Sequence, residues 1–95
     1  MSNLKIDREY LLETLANLIR INSINPTLVS GGAGEAEIAA YVADTLRGLG
    51  MNVALHEVEP RRVSVVGRLK GTGGGKALML NGHMDTVGID NMPEP

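Results

Sequence analysis

Lys76-Ala77-Leu78-Met79-Leu80-Asn81-Gly82-His83-Met84-Asp85-Thr86-Val87 is the stretch on which the reading of this 95-residue chain turns. Its first half, Ala77 to Asn81, is apolar on both faces, which suits a strand covered on both sides and not an edge. Its second half presents an imidazole and, two residues on, a carboxylate. In extended backbone residues i and i+2 lie on the same side, so Asp85 can reach the ring of His83. An imidazole that binds a metal through one nitrogen usually donates its other N–H to a carboxylate or carbonyl, which fixes tautomer and orientation. His83 therefore reads as a ligand and Asp85 as the group that orients it. The plainer reading of the same pattern is a loop histidine near a turn-forming aspartate. Position favours the first, because sites in sheets of parallel strands gather just beyond the carboxyl ends of the strands.

Upstream, the apolar period changes from helical to two-residue alternation near Gly50. Asp7 is a good N-cap for a first helix, with Ile6 and Leu11 placed to form a hydrophobic staple. Leu11, Leu12, Leu15, Leu18 and Ile19 make its apolar stripe, read as core packing. From Asn22 to Gly34 the chain is a loop that breaks at Asn25-Pro26, and a second helix opens after Gly34. Ile38, Val42, Thr45, Leu46 and Leu49 form the stripe of that helix, Glu35 and Glu37 suit its start, and Gly50 is the natural residue just past its end. Met51, Val53 and Leu55 then alternate with polar or small residues, and Pro60-Arg61-Arg62 turns the chain into Val63 to Leu69. The spacing predicts strands over 51–58 and 62–69 as an antiparallel pair, with 77–82 as a third strand. The fold class is α/β, with two helices packed on a mixed sheet.

Composition narrows the function. Nine basic and eleven acidic residues leave a net charge of −2, so no nucleic-acid footprint and no basic membrane-surface patch is visible. Cysteine is absent, which removes disulfides and thiolate chemistry and leaves His and carboxylates as the strong metal ligands. Tyr10 and Tyr41 are the only aromatic residues, so stacking platforms are not expected. The start has no apolar leader, and no apolar run approaches the ~20 residues needed to span a bilayer, so a cytoplasmic protein is expected.

The glycine-rich patches do not read as phosphate sites. Gly71-Thr72-Gly73-Gly74-Gly75-Lys76 has Lys70 where a P-loop needs its first glycine and Ala77 where it needs Ser or Thr; it reads as a flexible hairpin turn. Gly31-Gly32-Ala33-Gly34 does not follow a strand, and the last fingerprint glycine falls on Glu37. His56 reads as a solvated strand histidine, and Asp44 and Asp90 as surface charges or turn residues.

Taken in order, the helix from Glu9 to Ile21, Ser23-Ile24-Asn25-Pro26, the helix opened by Gly34-Glu35-Ala36-Glu37, the strand after Leu49-Gly50-Met51, Val65 to Leu69 with its glycine-rich turn, and Leu80-Asn81-Gly82-His83-Met84-Asp85-Thr86-Val87 resemble one family. It is the acetylornithine deacetylase, succinyl-diaminopimelate desuccinylase, aminoacylase and glutamate carboxypeptidase family of co-catalytic zinc hydrolases. The resemblance implies the N-terminal part of a zinc-exopeptidase-like catalytic domain, with a buried strand leading to the metal site. It implies His83 as a zinc ligand and Asp85 as the catalytic-centre residue that holds the imidazole. Two zinc ions, with cobalt as an alternative, would serve the full site, and the substrate would be a small N-acyl amino acid or peptide.

The family's bridging aspartate, general-base glutamate, further carboxylate ligand and late histidine have no counterpart in 1–95, nor has its dimerisation domain. Residues 1–95 are therefore expected to be an incomplete portion of a single catalytic domain, inactive alone. The alternative, from another class, is a truncated non-enzymatic module that self-associates into a homo-oligomer through exposed sheet edges.

Overall fold

The computed structural model describes residues 4–95; the reading of the extreme N-terminus as free of a leader falls partly on Met1 to Asn3, outside the described residues. The order is α1 (Arg8–Arg20), α2 (Ala36–Gly48), β1 (Asn52–Glu59) and β2 (Arg62–Arg68). No described helix is long and apolar enough to cross a membrane.

Helix α1 starts where the sequence places it. The Asp7 carboxylate accepts the Tyr10 N–H at 3.0 Å, satisfying one of the free donors of the first turn. Ile6 and Leu11 line one apolar groove along the helix, although Ile6 stays largely exposed. The expectation that its leucine stripe is core is not met: no residue of α1 is buried, and Leu11, Leu12, Leu15 and Ile19 are exposed. The reason is geometric. Helix α2 covers the sheet, and α1 has no comparable packing on either strand. It lies beside α2 instead, tied by a 3.2 Å hydrogen bond from Asn17 Nδ2 to Tyr41 Oη.

The core sits between α2 and the hairpin, and it is built from small residues. Ile38, Ala39 and Ala43 are the buried side chains of α2, while Val42, Thr45 and Leu46 are half-buried. Alanines on the inner face let the strands come close. A Cβ on Gly67 of β2 would lie 2.9 Å from Leu46 Cδ1 and 3.0 Å from Met51 Sδ, so a larger residue there would have to push the ends of these two side chains aside. The end of α2 is a Schellman turn, with Gly50 at φ 87°, its N–H on Arg47 O at 2.9 Å and the Met51 N–H on Leu46 O at 3.1 Å.

Strands β1 and β2 pair antiparallel with Leu55 opposite Val65, and a bulge lies between Glu57 and Glu59. His56 is exposed opposite Ser64. The tight turn at Pro60-Arg61 holds Arg61 at φ 65° and docks on the loop before α2: the Glu35 N–H donates to Arg61 O at 2.8 Å, and Arg61 Nη1 donates to Gly32 O at 3.2 Å. Arg62 Nε lies 2.8 Å from Glu35 Oε1, out of line for a hydrogen bond, so this contact is an ion pair. The Glu35 carboxylate thus serves the hairpin and makes no side-chain cap on α2.

The third strand is absent, which corrects the mixed sheet to a two-stranded antiparallel one. Residues 77–82 have no regular structure, and Leu78, Met79 and Leu80 are 84, 84 and 88 % exposed. Strand geometry needs a pairing neighbour, and the hairpin strands pair only with each other. Gly71 to Gly75 is accordingly no hairpin turn, since no strand follows it to pair back.

Gly34 reports on the docked turn. Its φ is 76°, and a Cβ there would overlap the Arg61 carbonyl oxygen, whereas Gly31, at φ 81°, faces open space. Gly31→Ala is expected to cost about 1 kcal/mol from backbone strain alone. Gly34→Ala is expected to cost distinctly more, because backbone must move; urea unfolding of the two variants checks this, and equal losses would refute the docking.

Candidate functional site

The C-terminal third of the chain returns to the loop after α1 through one parallel bridge, Ile24 with Thr86. The Thr86 N–H donates to Ser23 O and the Asn25 N–H to Thr86 O, both at 3.0 Å, while the Gly34 N–H donates to Ile24 O at 3.0 Å. Local chemistry shapes this loop. Asn22 Oδ1 accepts the Ile24 N–H at 3.1 Å, and Asn25 Oδ1 accepts the Thr27 N–H at 2.8 Å, two turns of the kind asparagine makes with backbone two residues on. Arg62 Nη1 braces it from the hairpin, donating to Thr27 Oγ1 at 3.2 Å.

The two sequence-predicted site residues meet directly ahead of the bridge, which sets them against the loop that carries Asn25. His83 Nδ1 lies 2.8 Å from Asp85 Oδ1 and 3.0 Å from Asp85 O, so one ring N–H is shared between carboxylate and carbonyl. Asp85 Oδ2 accepts from Asn25 Nδ2 at 2.8 Å. The His83 side chain is 83 % exposed and that of Asp85 26 %. The other ring nitrogen of His83, Nε2, makes no hydrogen bond among the described residues. Clefts between α1 and α2 (Tyr10, Asn17, Tyr41) and beside the hairpin turn (Glu59, Arg62) lie away from this pair.

Asn25 is the member that sequence reading missed. Asn25-Pro26 signals a loop break, but nothing in the chain says that its amide will meet a carboxylate 60 positions away. The pair does not sit at the end of a buried strand, since 77–82 forms none; a loop-to-loop bridge presents it.

The electrostatics follow from these contacts. The Asp85 carboxylate raises the His83 pKa above the usual imidazole value, chiefly through the side-chain hydrogen bond and then through the Asp85 carbonyl and charge. The Asn25 amide, and after it His83, hold the Asp85 carboxyl below the usual range.

The class of structure is an α/β segment that presents one oriented, solvent-facing imidazole from a bridged pair of loops. Acetylornithine deacetylase of Vibrio campbellii (strain ATCC BAA-1116) is 38% identical over 80 residues, 83% of this chain and 20% of its own length. The Vibrio cholerae El Tor Inaba N16961 acetylornithine deacetylase is 34% identical over 79 residues, with the same coverage. That of Aliivibrio fischeri (strain MJ11) is 36% identical over 73 residues, 77% of this chain and 19% of its own length. The chain spans about one fifth of the length of these curated relatives. It is thus similar over most of its own length to the acetylornithine deacetylases, as an N-terminal segment of that family would be. No protein-family model and no solved structure matches it.

The two pKa shifts set a pH window. What the His83 interaction contributes is fully present below the ordinary imidazole pKa and is lost as pH rises through the raised one. What Asp85 contributes is present above its ordinary value and is lost as pH falls through the lowered one. The pair is therefore held best between the two. NMR titration is expected to place His83 above the ordinary imidazole value, with Asp85→Asn returning it toward that value; an unchanged His83 in that variant would show that Asp85 is not its partner.

Proposed function

We propose that this chain supplies an N-terminal metal ligand, His83, to a metal-dependent amidohydrolase acting on the amide bond of N-acyl amino acids or small peptides, as acetylornithine deacetylases do. One observation carries the reading. The His83 ring is held by Asp85 through Nδ1 while Nε2 has no partner among the described residues, within a segment similar to that family.

The donor chemistry fits zinc or cobalt at this residue. A neutral imidazole with its Nδ1 hydrogen engaged by a carboxylate offers Nε2 as a basic, oriented donor, the ligand type these ions take. Among the described residues there is no group of three or more His, Cys, Asp or Glu side chains that could hold a metal. His83 would thus be one ligand of a set completed by residues outside this segment. When bound, zinc acts as a Lewis acid toward the amide carbonyl and lowers the pKa of water. Within this chain, Asp85 holds the Nδ1 proton and Asn25 holds Asp85.

A second reading, self-association as a non-enzymatic module, is favoured by one observation. Leu78, Met79 and Leu80 stand in solvent, and the described sheet has two strands whose outer edges are unpaired. Sedimentation of the chain separates this reading from a monomer, and Leu78→Ser with Leu80→Ser would dissolve an assembly built on that segment.

The 95-residue chain is expected to show no turnover of N-acetyl or N-succinyl amino acids. Zinc-dependent turnover that vanishes with His83→Ala would mean that copies of the chain assemble a whole site. In the longer protein carrying this segment, His83→Ala should remove metal from one site, measured by elemental analysis. Asp85→Asn should keep the fold and cost roughly 10–100-fold in metal affinity or activity. Equal metal loss from both variants, or from neither, would refute this division of roles.

A further inference from the structure

We infer that Asn25 is a positioning residue for His83 and acts through Asp85. Its amide is pinned at both ends: Oδ1 accepts the Thr27 N–H and Nδ2 donates to Asp85 Oδ2, each at 2.8 Å. The first bond settles which way the amide faces, because a flipped side chain would set an NH₂ against an N–H. The Asn25 backbone is fixed as well, since its N–H is bonded to Thr86 O, one residue from Asp85.

With Oδ2 held by Asn25, the other carboxylate oxygen, Oδ1, meets His83 Nδ1 at 2.8 Å. An ionised carboxylate can only accept, so Nδ1 carries the hydrogen and the lone pair of the neutral ring is left on Nε2. The ring is 83 % exposed, so packing does little to orient it. Orientation comes instead from the line of hydrogen bonds Thr27 N–H to Asn25, Asn25 to Asp85, and Asp85 to His83. Asn25 thereby does two separable jobs. Its oxygen shapes a turn, and its NH₂ aims a carboxylate.

The purpose of this arrangement rests on His83 being a metal ligand, as proposed above; the arrangement itself does not. The test is made on the metal-free chain, reading the His83 tautomer by long-range ¹H–¹⁵N NMR at a pH well above its titration. The wild-type chain should show the Nδ1–H form. Asn25→Asp keeps an acceptor for the Thr27 N–H but sets an oxygen against Asp85, so the preference should be lost and the ring should relax to the mixture of a free imidazole. Asn25→Ala should lose it too. The amide signal of Thr86 reports whether the bridge survives. Should Asn25→Asp break it, Asn25→Ser, whose hydroxyl can accept from Thr27 but falls short of Asp85, makes the same comparison.

A residue that only shaped the turn would leave Asn25→Asp with the wild-type tautomer and disturb Asn25→Ala alone. That result, or an unchanged tautomer in every variant, overturns the inference. If the tautomer responds as expected but His83→Ala leaves the metal content of the longer protein untouched, Asn25 positions His83 and the metal role falls.

Discussion

Two backbone hydrogen bonds, from Thr86 to Ser23 and from Asn25 to Thr86, tie the segment that follows β2 to the rest among the described residues. Everything at the candidate site depends on them. Residues 69–85 have no helix or strand of their own, so His83 and Asp85 would have no fixed place without the bridge. The side-chain bond from Asn25 to Asp85 adds to this attachment, and Gly88 packs close enough that a Cβ would lie 3.0 Å from Val29 Cγ2. The loop that receives the bridge is itself rigidified by local bonds of Asn22 and Asn25 and by the arginines of the hairpin turn.

The hairpin therefore serves the site without touching it. Arg61 and Arg62 reach from the turn to Gly32, Thr27 and Glu35, and Glu35 in turn leads into α2. That helix covers the sheet with Ile38, Ala39 and Ala43, an inner face small enough for β2 to approach at Gly67. Packing runs from α2 to the strands, from the strands to the turn, and from the turn to the loop that carries Asn25. Burial is slight along this route, and the polar contacts carry the geometry.

The exposed leucines are the other side of the same economy. Leu11, Leu15 and Ile19 on α1, and Leu78 to Leu80 before the site, present apolar surface to water. A chain of this size buries a limited fraction of its surface, and two strands offer one helix enough area to cover. Both segments carry the apolar pattern of interior elements. That agrees with a segment spanning about one fifth of its relatives' length.

Local signals were legible because they act through local physics. The Asp7 cap, the Gly50 turn, the two-residue alternation over Met51 to Leu55 and the turn at Pro60 each depend on residues a few positions apart, and each stands where the sequence puts it. His83 and Asp85 were legible for the same reason, being two residues apart and able to bond directly. Apolar pattern misled where an element needed a neighbour: Ala77 to Asn81 has the composition of a covered strand, yet a strand exists only when another backbone supplies its hydrogen bonds. The stripe of α1 failed likewise, since burial is decided by what lies opposite. By itself the sequence determined the helices, the hairpin and the His83–Asp85 pair. Only the tertiary structure decided that Asn25 grips Asp85 and that Arg61 and Arg62 brace its loop, because contacts between residues far apart in the chain depend on how the segments are brought together in space.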